Sequence, residues 1–310
     1  MTYPGVQDMR RVHVVIVNYF SFELVVRLLS SLDFASYSSV CVVDNSASDL
    51  EYGRLQVEFS PKGVRVVSAE KNIGFGAAVN LGVSNCPVED SDFVWILNPD
   101  TVLGQNGGQE LAAVMDEYSA DLASPLLTTG IDSESIWFGG GEFVYSRGRT
   151  QHWASRSTSV EEVSFLTGAA LMLRGSAWRE LVGFREDLFM YWEDADLCLR
   201  ARSCNMKMII APDITVWHAV GATSSSRGRS ELFYYYMQRN RTLVLCENFS
   251  FMYLLGAGRL IETAVMAARA LKEDRGSVTK FISSLRGLAA GLRVQAYRLS
   301  PRVRYFSRRP

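Results

Sequence analysis

The chain opens as short apolar, β-branched runs separated by stretches with a helical apolar period. Val12 to Val17, Val40 to Val43, Val64 to Val67 and Phe93 to Leu97 read as strands, because each is rich in Val, Ile, Leu or aromatic residues and ends in a polar cluster. Ser21 can cap a helix whose apolar face is Leu24, Val25, Leu28, Leu29 and Leu32. Asn72-Ile73-Gly74-Phe75-Gly76 opens another, carrying Ala77, Ala78, Leu81 and Val83. Strands alternating with helices predict an α/β domain with a mostly parallel central sheet, flanking helices and right-handed crossovers. The polar strand ends should then gather along one sheet edge.

From Gly107 the pattern predicts a helix and a short strand near Leu122. Ile131 to Thr158, with Gly139-Gly140-Gly141 and several serines, reads as connecting strands and a loop. Ala169 to Leu173 is a further strand, and Gly183 to Met190 leads into a helix starting near Glu193. Met206 to Ile210 and Ile214 to Val216 read as separate short strands around Pro212. A helix from about Ser230 to Glu247 follows, then two amphipathic helices within Phe251 to Tyr297. The expected division is an α/β domain over 1–248 and a helical, basic extension over 249–310.

Composition sharpens this picture at three points. The 310 residues carry a formal net charge of −1, which argues against a general nucleic-acid binder. The charge is uneven, because no acidic residue follows Asp274 while Arg275, Lys280, Arg286, Arg293, Arg298, Arg302, Arg304, Arg308 and Arg309 do. A basic end on a near-neutral protein suggests an anionic surface as partner. The five cysteines form no Cys-x-x-Cys pair, so neither zinc nor a disulfide framework is indicated and a reducing, cytoplasmic setting is expected. Met1 to Arg11 lacks the apolar core of a signal peptide, and Phe251 to Leu271 contains Arg259, Glu262 and Arg269, which makes it a poor membrane span.

Candidate chemistry sits where strands end. Pro99 cannot donate to a ladder, so the strand through Leu97 should stop there and leave Asp100 at its carboxyl end. That edge is where open α/β sheets bind ligands. A carboxylate beside Asn98 and Thr101 suits a hard divalent cation, although Asn-Pro-Asp-Thr is also good turn chemistry. Asp44 and Asn45 can accept from a ribose hydroxyl or a base N–H, or can serve as a cap. Gly74 to Val79 misses the dinucleotide fingerprint at Val79 and follows the third strand, which disfavours a nicotinamide-dependent dehydrogenase.

Glu193, Asp194 and Asp196 fall within one helical turn after the aromatics Phe184, Phe189, Tyr191 and Trp192. Such crowding can raise a carboxylate pKa, while a helix start also favours acidic residues in its own right. His218 at a strand end is either a core residue or, if it meets Asp100, a partner for manganese and similar ions. Arg239 or Arg241 could clamp phosphate, or could be surface residues of a helix packed through its tyrosines.

In order along the chain, these pieces resemble the family-2 inverting glycosyltransferases with a GT-A fold, especially the bacterial rhamnosyltransferase-like branch. The stretches that carry the resemblance are Val17-Asn18-Tyr19, Val43-Asp44-Asn45-Ser46, Asn72 to Asn80, Leu97-Asn98-Pro99-Asp100-Thr101, Thr167-Gly168-Ala169, Gly183-Phe184-Arg185-Glu186, Phe189 to Arg200, and His218. The resemblance implies Asp194 as catalytic base. It implies nucleotide-sugar contacts from Val17, Asn18, Tyr19, Asp44, Asn72, Gly74, Asn80, Asn98, Asp100 and Glu193. Asp100 would hold a divalent cation, Mn2+ or Mg2+, with His218 as an additional ligand.

The implied donor is a dTDP- or UDP-sugar such as a rhamnose donor, and the implied acceptor a glycan or lipid-linked glycan. Asn98 stands where the general pattern has an aspartate, which removes one charge from the cation site. An inactive nucleotide-sugar-binding module is the alternative, and Asp100 with the acidic turn argues against it. A homo-oligomer is left open. The basic, apolar end suggests peripheral contact with the inner face of an anionic membrane.

Overall fold

The computed structural model describes residues 9–104, 107–130, 133, 135–219 and 228–299, which form two compact units. The first unit is a mixed α/β domain. Its strands are β1 (Val12–Asn18), β2 (Ser39–Asp44), β3 (Arg65–Ser68), β4 (Phe93–Leu97), β5 (Thr101–Leu103), β6 (Leu122–Thr129) and β7 (Ser135–Phe138). Along the chain there follow β8 (Gly141–Val144) and β9 (Arg149–His152), a separate pair whose residues are divided between the two units, and then β10 (Glu161–Glu162), β11 (Ala170–Arg174) and β12 (Met208–His218) of the first unit. The main sheet has the order β10-β12-β6-β11-β4-β1-β2-β3, with β5 on β12 and β7 on β6.

The half built first along the chain is parallel: β1 pairs with β2 and β4, and β2 with β3. Its crossovers are α1 (Phe22–Ser30), α2 (Asp49–Phe59) and α3 (Phe75–Ser84). α2 has no counterpart in the apolar pattern, because it buries only Leu55 and Phe59 and relies on Ser48, which accepts from the Glu51 N–H as an N-cap. The other half is mixed. β11 runs antiparallel to both β4 and β6, whereas β12 runs parallel to β6. The two short strands expected around Pro212 are one strand, β12, with a register shift between Ala211 and Thr215. The irregularity accommodates the missing Pro212 N–H without ending the strand.

Val14, Val15 and Ile16 of β1, Trp95, Ile96 and Leu97 of β4 and Leu171, Met172 and Leu173 of β11 are wholly buried. Helices cover the sheet: α4 (Gly107–Glu117), α5 (Gly175–Leu181) and α6 (Glu193–Ser203) complete the unit. Gly82 shows how close that cover lies, since a Cβ there would come 2.5 Å from Val15 Cγ1.

The second unit consists of Phe143–Thr150, Met190–Trp192 and the described residues from 228 onward, so it takes in the helix before residue 249 as well as the extension after it. Its helices are α7 (Glu231–Asn248), α8 (Phe251–Leu254), α9 (Ala257–Ala270) and α10 (Ser277–Leu299). Ser230 caps α7 by accepting from the Phe233 N–H. α10 packs on α7 through small residues: a Cβ on Gly287 would lie 2.1 Å from the Tyr235 carbonyl oxygen.

Arg241 is fully buried in this unit. Its guanidinium donates to the carbonyls of Gly148, Arg147 and Arg259 and to Thr263 Oγ1, at 2.8, 2.8, 3.1 and 2.8 Å respectively. Neither reading from sequence holds for it. It is an internal tie that satisfies loop carbonyls, with its donors already committed, and it is not a surface residue. Tyr234 likewise turns to its own unit, donating to Glu273, which also pairs with Lys280 at 3.3 Å.

Candidate active site

The polar clusters at the strand ends of the first unit form the candidate site. Asp44 closes β2 and is fully buried. Its Oδ1 accepts from Asn18 Nδ2 at 2.9 Å and from the Ser46 N–H at 3.2 Å, while Oδ2 has no partner. Asn18 and Asp44 face each other because β1 and β2 are parallel in register at these residues. Asn18 Oδ1 also accepts from the N–H and hydroxyl of Ser21, which fixes the turn into α1. Tyr19 and Phe20 lie beyond the strand end with their rings exposed.

Asn45 reaches across to the next turn. Its Nδ2 donates to Asn72 Oδ1 at 3.0 Å, and its Oδ1 accepts from the Ile73 N–H at 2.9 Å. Asn72 Oδ1 in turn accepts from the Gly74 N–H. Gly74 has φ +87°, and a Cβ there would sit 2.2 Å from the Phe189 carbonyl oxygen. That carbonyl accepts from the Phe75 N–H at 2.7 Å, so the turn before α3 is fastened to the segment preceding the acidic helix. Only glycine allows both the backbone angle and the approach.

Asn80 is placed differently from the other residues singled out for donor contact. Its Oδ1 accepts from the Phe184 N–H and its Nδ2 donates to the Phe184 carbonyl, at 2.9 and 2.8 Å. It anchors the Gly183–Phe184 turn.

Asp100 follows β4 by three residues and is mostly buried. β5 starts at the next residue and runs antiparallel to the end of β12, with His218 opposite Thr101. The Ala219 N–H donates to the Asp100 carbonyl. This pairing brings Asp100 Oδ1 to 3.1 Å from His218 Nε2. The His218 ring is buried, packs edge-on against Trp137 at 4.4 Å between centroids, and has no hydrogen-bond partner for either nitrogen.

A buried imidazole with an orphaned nitrogen beside a carboxylate is a donor set that suits a divalent cation. No group of three or more His, Cys, Asp or Glu side chains suited to a metal occurs among the described residues, so protein donors alone would leave such an ion incompletely coordinated. Oxygen atoms of a diphosphate would complete it.

The acidic turn divides into separate roles. Asp196 is buried between Arg185 Nη1 at 3.2 Å and Arg200 Nε at 2.7 Å. Arg200 also donates to the carbonyls of Leu181 and Gly183. Asp196 therefore anchors α6, a part that the sequence did not separate from its neighbours. Asp194 is held by backbone: Oδ2 accepts from the Gly168 N–H at 3.3 Å and Oδ1 from the Ala195 N–H at 2.7 Å. Burial pushes its carboxyl up to about 6 despite those donors. Burial, together with the charge of Asp194, pushes Glu193 up to about 8, and Glu193 Oε2 has no partner.

The approach to this turn is strained. Phe189, Tyr191 and Trp192 have φ of 57°, 64° and 72°, a region that side-chain-bearing residues seldom occupy. In the second unit, Asn240 Nδ2 donates to the carbonyls of Met190 and Tyr191, at 2.8 and 2.9 Å. Non-glycine residues persist there only where surrounding contacts enforce them, and such segments concentrate at functional sites.

Residues 93–295 match the family described as glycosyl transferase family group 2. Among characterised proteins, a low-salt glycan biosynthesis hexosyltransferase, Agl10 of Haloferax volcanii, is 25% identical, with 63% of this chain and 62% of that protein covered. The chain thus spans under two thirds of that relative's length. An N-acetylglucosaminyl-diphospho-decaprenol L-rhamnosyltransferase of Mycobacterium tuberculosis is 29% identical, covering 66% of this chain and 75% of that protein.

Among solved structures, GalNAc-T7 with UDP, GalNAc and Mn2+ superimposes with a TM-score of 0.64 at 14% identity, covering 94% of this chain and 58% of that one. The mannosyltransferase PcManGT of Pyrobaculum calidifontis with GDP-Man and Mn2+ gives 0.55 at 14% identity, covering 97% and 84%. These likenesses establish the GT-A fold.

Proposed function

We propose that this chain, which belongs to glycosyl transferase family group 2, is an inverting hexosyltransferase that carries rhamnose or a related sugar from a nucleoside-diphosphate donor to a lipid-linked glycan. The observation that carries the proposal is the division of labour in the acidic turn. Asp194 is held by backbone N–H groups with a raised pKa, while its neighbour Asp196 is neutralised by arginines. The likeness to the mycobacterial rhamnosyltransferase supports the choice of sugar and acceptor class.

A sugar hydroxyl is a poor nucleophile until a base takes its proton as the new bond forms. Asp194 accepts that proton at a carboxylate oxygen. The raised pKa keeps it a stronger base than an ordinary carboxylate, yet largely ionised at neutral pH. The Gly168 and Ala195 N–H groups fix its direction, and positioning of this kind supplies much of the rate. Attack at the anomeric carbon from the face opposite the leaving diphosphate gives inversion. Glu193, with its pKa raised further, stays protonated at neutral pH and can donate to a donor or acceptor oxygen.

The donor's base would lie at the Asn18–Asp44 end. The unpartnered Oδ2 of Asp44 can accept a nucleobase N–H, once the side chains sealing it give way. Asp100 and His218 would hold a divalent cation, which when bound neutralises charge on the departing diphosphate. Asn98 adds no charge, so affinity for the ion would depend strongly on the diphosphate. The likeness to fold neighbours solved with Mn2+ favours that ion as the first to test.

The test is a matrix of dTDP- and UDP-sugars with polyprenyl-diphosphate and soluble glycan acceptors, with and without Mn2+, in which diphosphate release and acceptor mass are both recorded. Acceptor-dependent, Mn2+-stimulated gain of one hexose or deoxyhexose is expected. Tight nucleotide-sugar binding without turnover on any acceptor would favour the inactive binding module.

A further inference from the structure

We infer that the exposed apolar faces of α9 and α10 seat the second unit on an anionic lipid surface. This inference stands on how those helices pack and does not require the catalytic reading.

An ordinary surface helix turns its apolar stripe inward and its polar face to water. α10 does the reverse. The residues it buries are Lys280, Ser283, Ser284, Gly287, Gly291 and Gln295, which are polar or small. Its contact with α7 uses Gly287 against the Tyr235 carbonyl and Gly291 against Arg239 and Thr242, and Ser283 reaches Glu231. The opposite side presents Val278, Ile282 and Leu285, which are 62%, 40% and 44% exposed. These residues recur at spacings of four and three, one face of a helix, and Ala289 continues the line.

α9 also exposes apolar residues, although most of what it buries is apolar as well. It buries Glu262, which takes an ion pair from Arg147 at 3.4 Å, along with Met266, Ala267 and Ala270. It exposes Leu260 and Ile261, and Leu271 just beyond it is also open. Internal packing, the natural alternative from sequence, therefore leaves the stripe of α10 and Leu260 and Ile261 of α9 uncovered. Apolar stripes on successive helices are more than the scattered exposed side chains of ordinary surfaces.

Charge selects the occupant. Arg269, Lys272, Arg275, Arg286 and Arg293 are exposed, and none has an ion-pair partner among the described residues. Arg286 and Arg293 stand seven residues apart, so they line one flank of the α10 stripe. From Arg275 to the end of the sequence there are basic residues and no acidic one. An apolar stripe edged by arginines on a helix lying in plane suits the boundary between headgroups and acyl chains of an anionic leaflet. No helix among the described residues is long and apolar enough to cross a membrane, so the contact is peripheral.

The experiment uses the full chain with vesicles of phosphatidylcholine, with and without phosphatidylglycerol, followed by co-sedimentation. Binding should require phosphatidylglycerol and weaken as salt is added. The doubly substituted chain carrying Ile282→Asp and Leu285→Asp should lose binding, with its helical circular dichroism and nucleotide binding unchanged. Each surface-proximal basic residue is worth about fivefold in affinity, so Arg286→Gln with Arg293→Gln should cost roughly 25-fold.

No sedimentation with anionic vesicles at low salt would overturn the inference, as would undiminished binding by the Ile282→Asp, Leu285→Asp chain. So would a lipid-free dimer that those substitutions dissociate, because the face would then belong to a second copy. None of these readouts depends on glycosyl transfer, so failure here leaves the catalytic proposal standing, and failure of transfer leaves this one.

Discussion

Nε2 of His218 lies 3.1 Å from Oδ1 of Asp100, although 118 positions separate them along the chain and neither ring nitrogen of the histidine has a hydrogen-bond partner. The antiparallel pairing of β5 with the end of β12 makes this meeting obligatory, because it sets His218 opposite Thr101. Removing the carboxylate should therefore weaken Mn2+ more than removing the imidazole. Asp100→Ala is expected to reduce Mn2+ affinity in the presence of UDP or dTDP by tenfold or more, about 1.4 kcal/mol. His218→Ala should cost less. Titration followed by Mn2+ electron paramagnetic resonance reads both, and unaltered affinity in both variants would move the ion elsewhere.

The acidic turn predicts a pH dependence with a definite sign. As the proposed base, Asp194 must be ionised to accept a proton, and burial raises its pKa to about 6. The rate should climb as pH rises through that value and then level. Its neighbour affects stability in the opposite direction. The folded-state pKa of Glu193, about 8, lies above the ordinary 4.5. Its contribution to stability is thus fully present below pH 4.5 and lost as pH rises through 8. Glu193→Gln should accordingly raise the melting temperature at pH 8 and change it little at pH 4.5, as thermal unfolding at both values will show. An equal gain at both would mean that the shift comes from packing and not from ionisation.

Gly74 fastens the turn after Asn72 to the segment before the acidic helix. Gly74→Ala would place a Cβ 2.2 Å from the Phe189 oxygen at a backbone angle suited to glycine. The expected cost is about 1–3 kcal/mol from backbone strain, with a further penalty from the clash. Urea unfolding should reveal it, together with weaker nucleotide binding, since the Asn72 turn must shift. An unchanged midpoint would show that this contact is soft.

Much of this arrangement is legible in the residues themselves. Phe93 to Leu97 announces β4 by its apolar run, and Pro99 ends it where expected. The ends of β1 and β2 carry Asn18 and Asp44 for the same reason. Less legible were features set by distant partners. Pro212 reads as a strand break, yet β12 continues past it because β6 and β5 pair along its length. Asp194 and Asp196 are chemically alike on paper, and only Arg185, Arg200 and the Gly168 N–H make them different. Arg241 looks like a surface or phosphate-binding residue, because nothing local reveals the loop carbonyls that bury it. The apolar period of α10 is plain in the sequence, but its outward orientation is settled by Gly287 and Gly291 on the other face.

The claim that Asp194 deprotonates an acceptor hydroxyl in a direct displacement is tested most directly by proton NMR of paired reactions. The unmodified chain and Asp194→Asn would each be given the donor and acceptor found active, and the anomeric signal of the new linkage recorded over time. The expected result is a product with the donor's anomeric configuration inverted, formed roughly 10²–10⁴ times more slowly by Asp194→Asn, while donor binding is little changed. Retention of configuration, or near-normal transfer by a folded Asp194→Asn protein, would contradict the account.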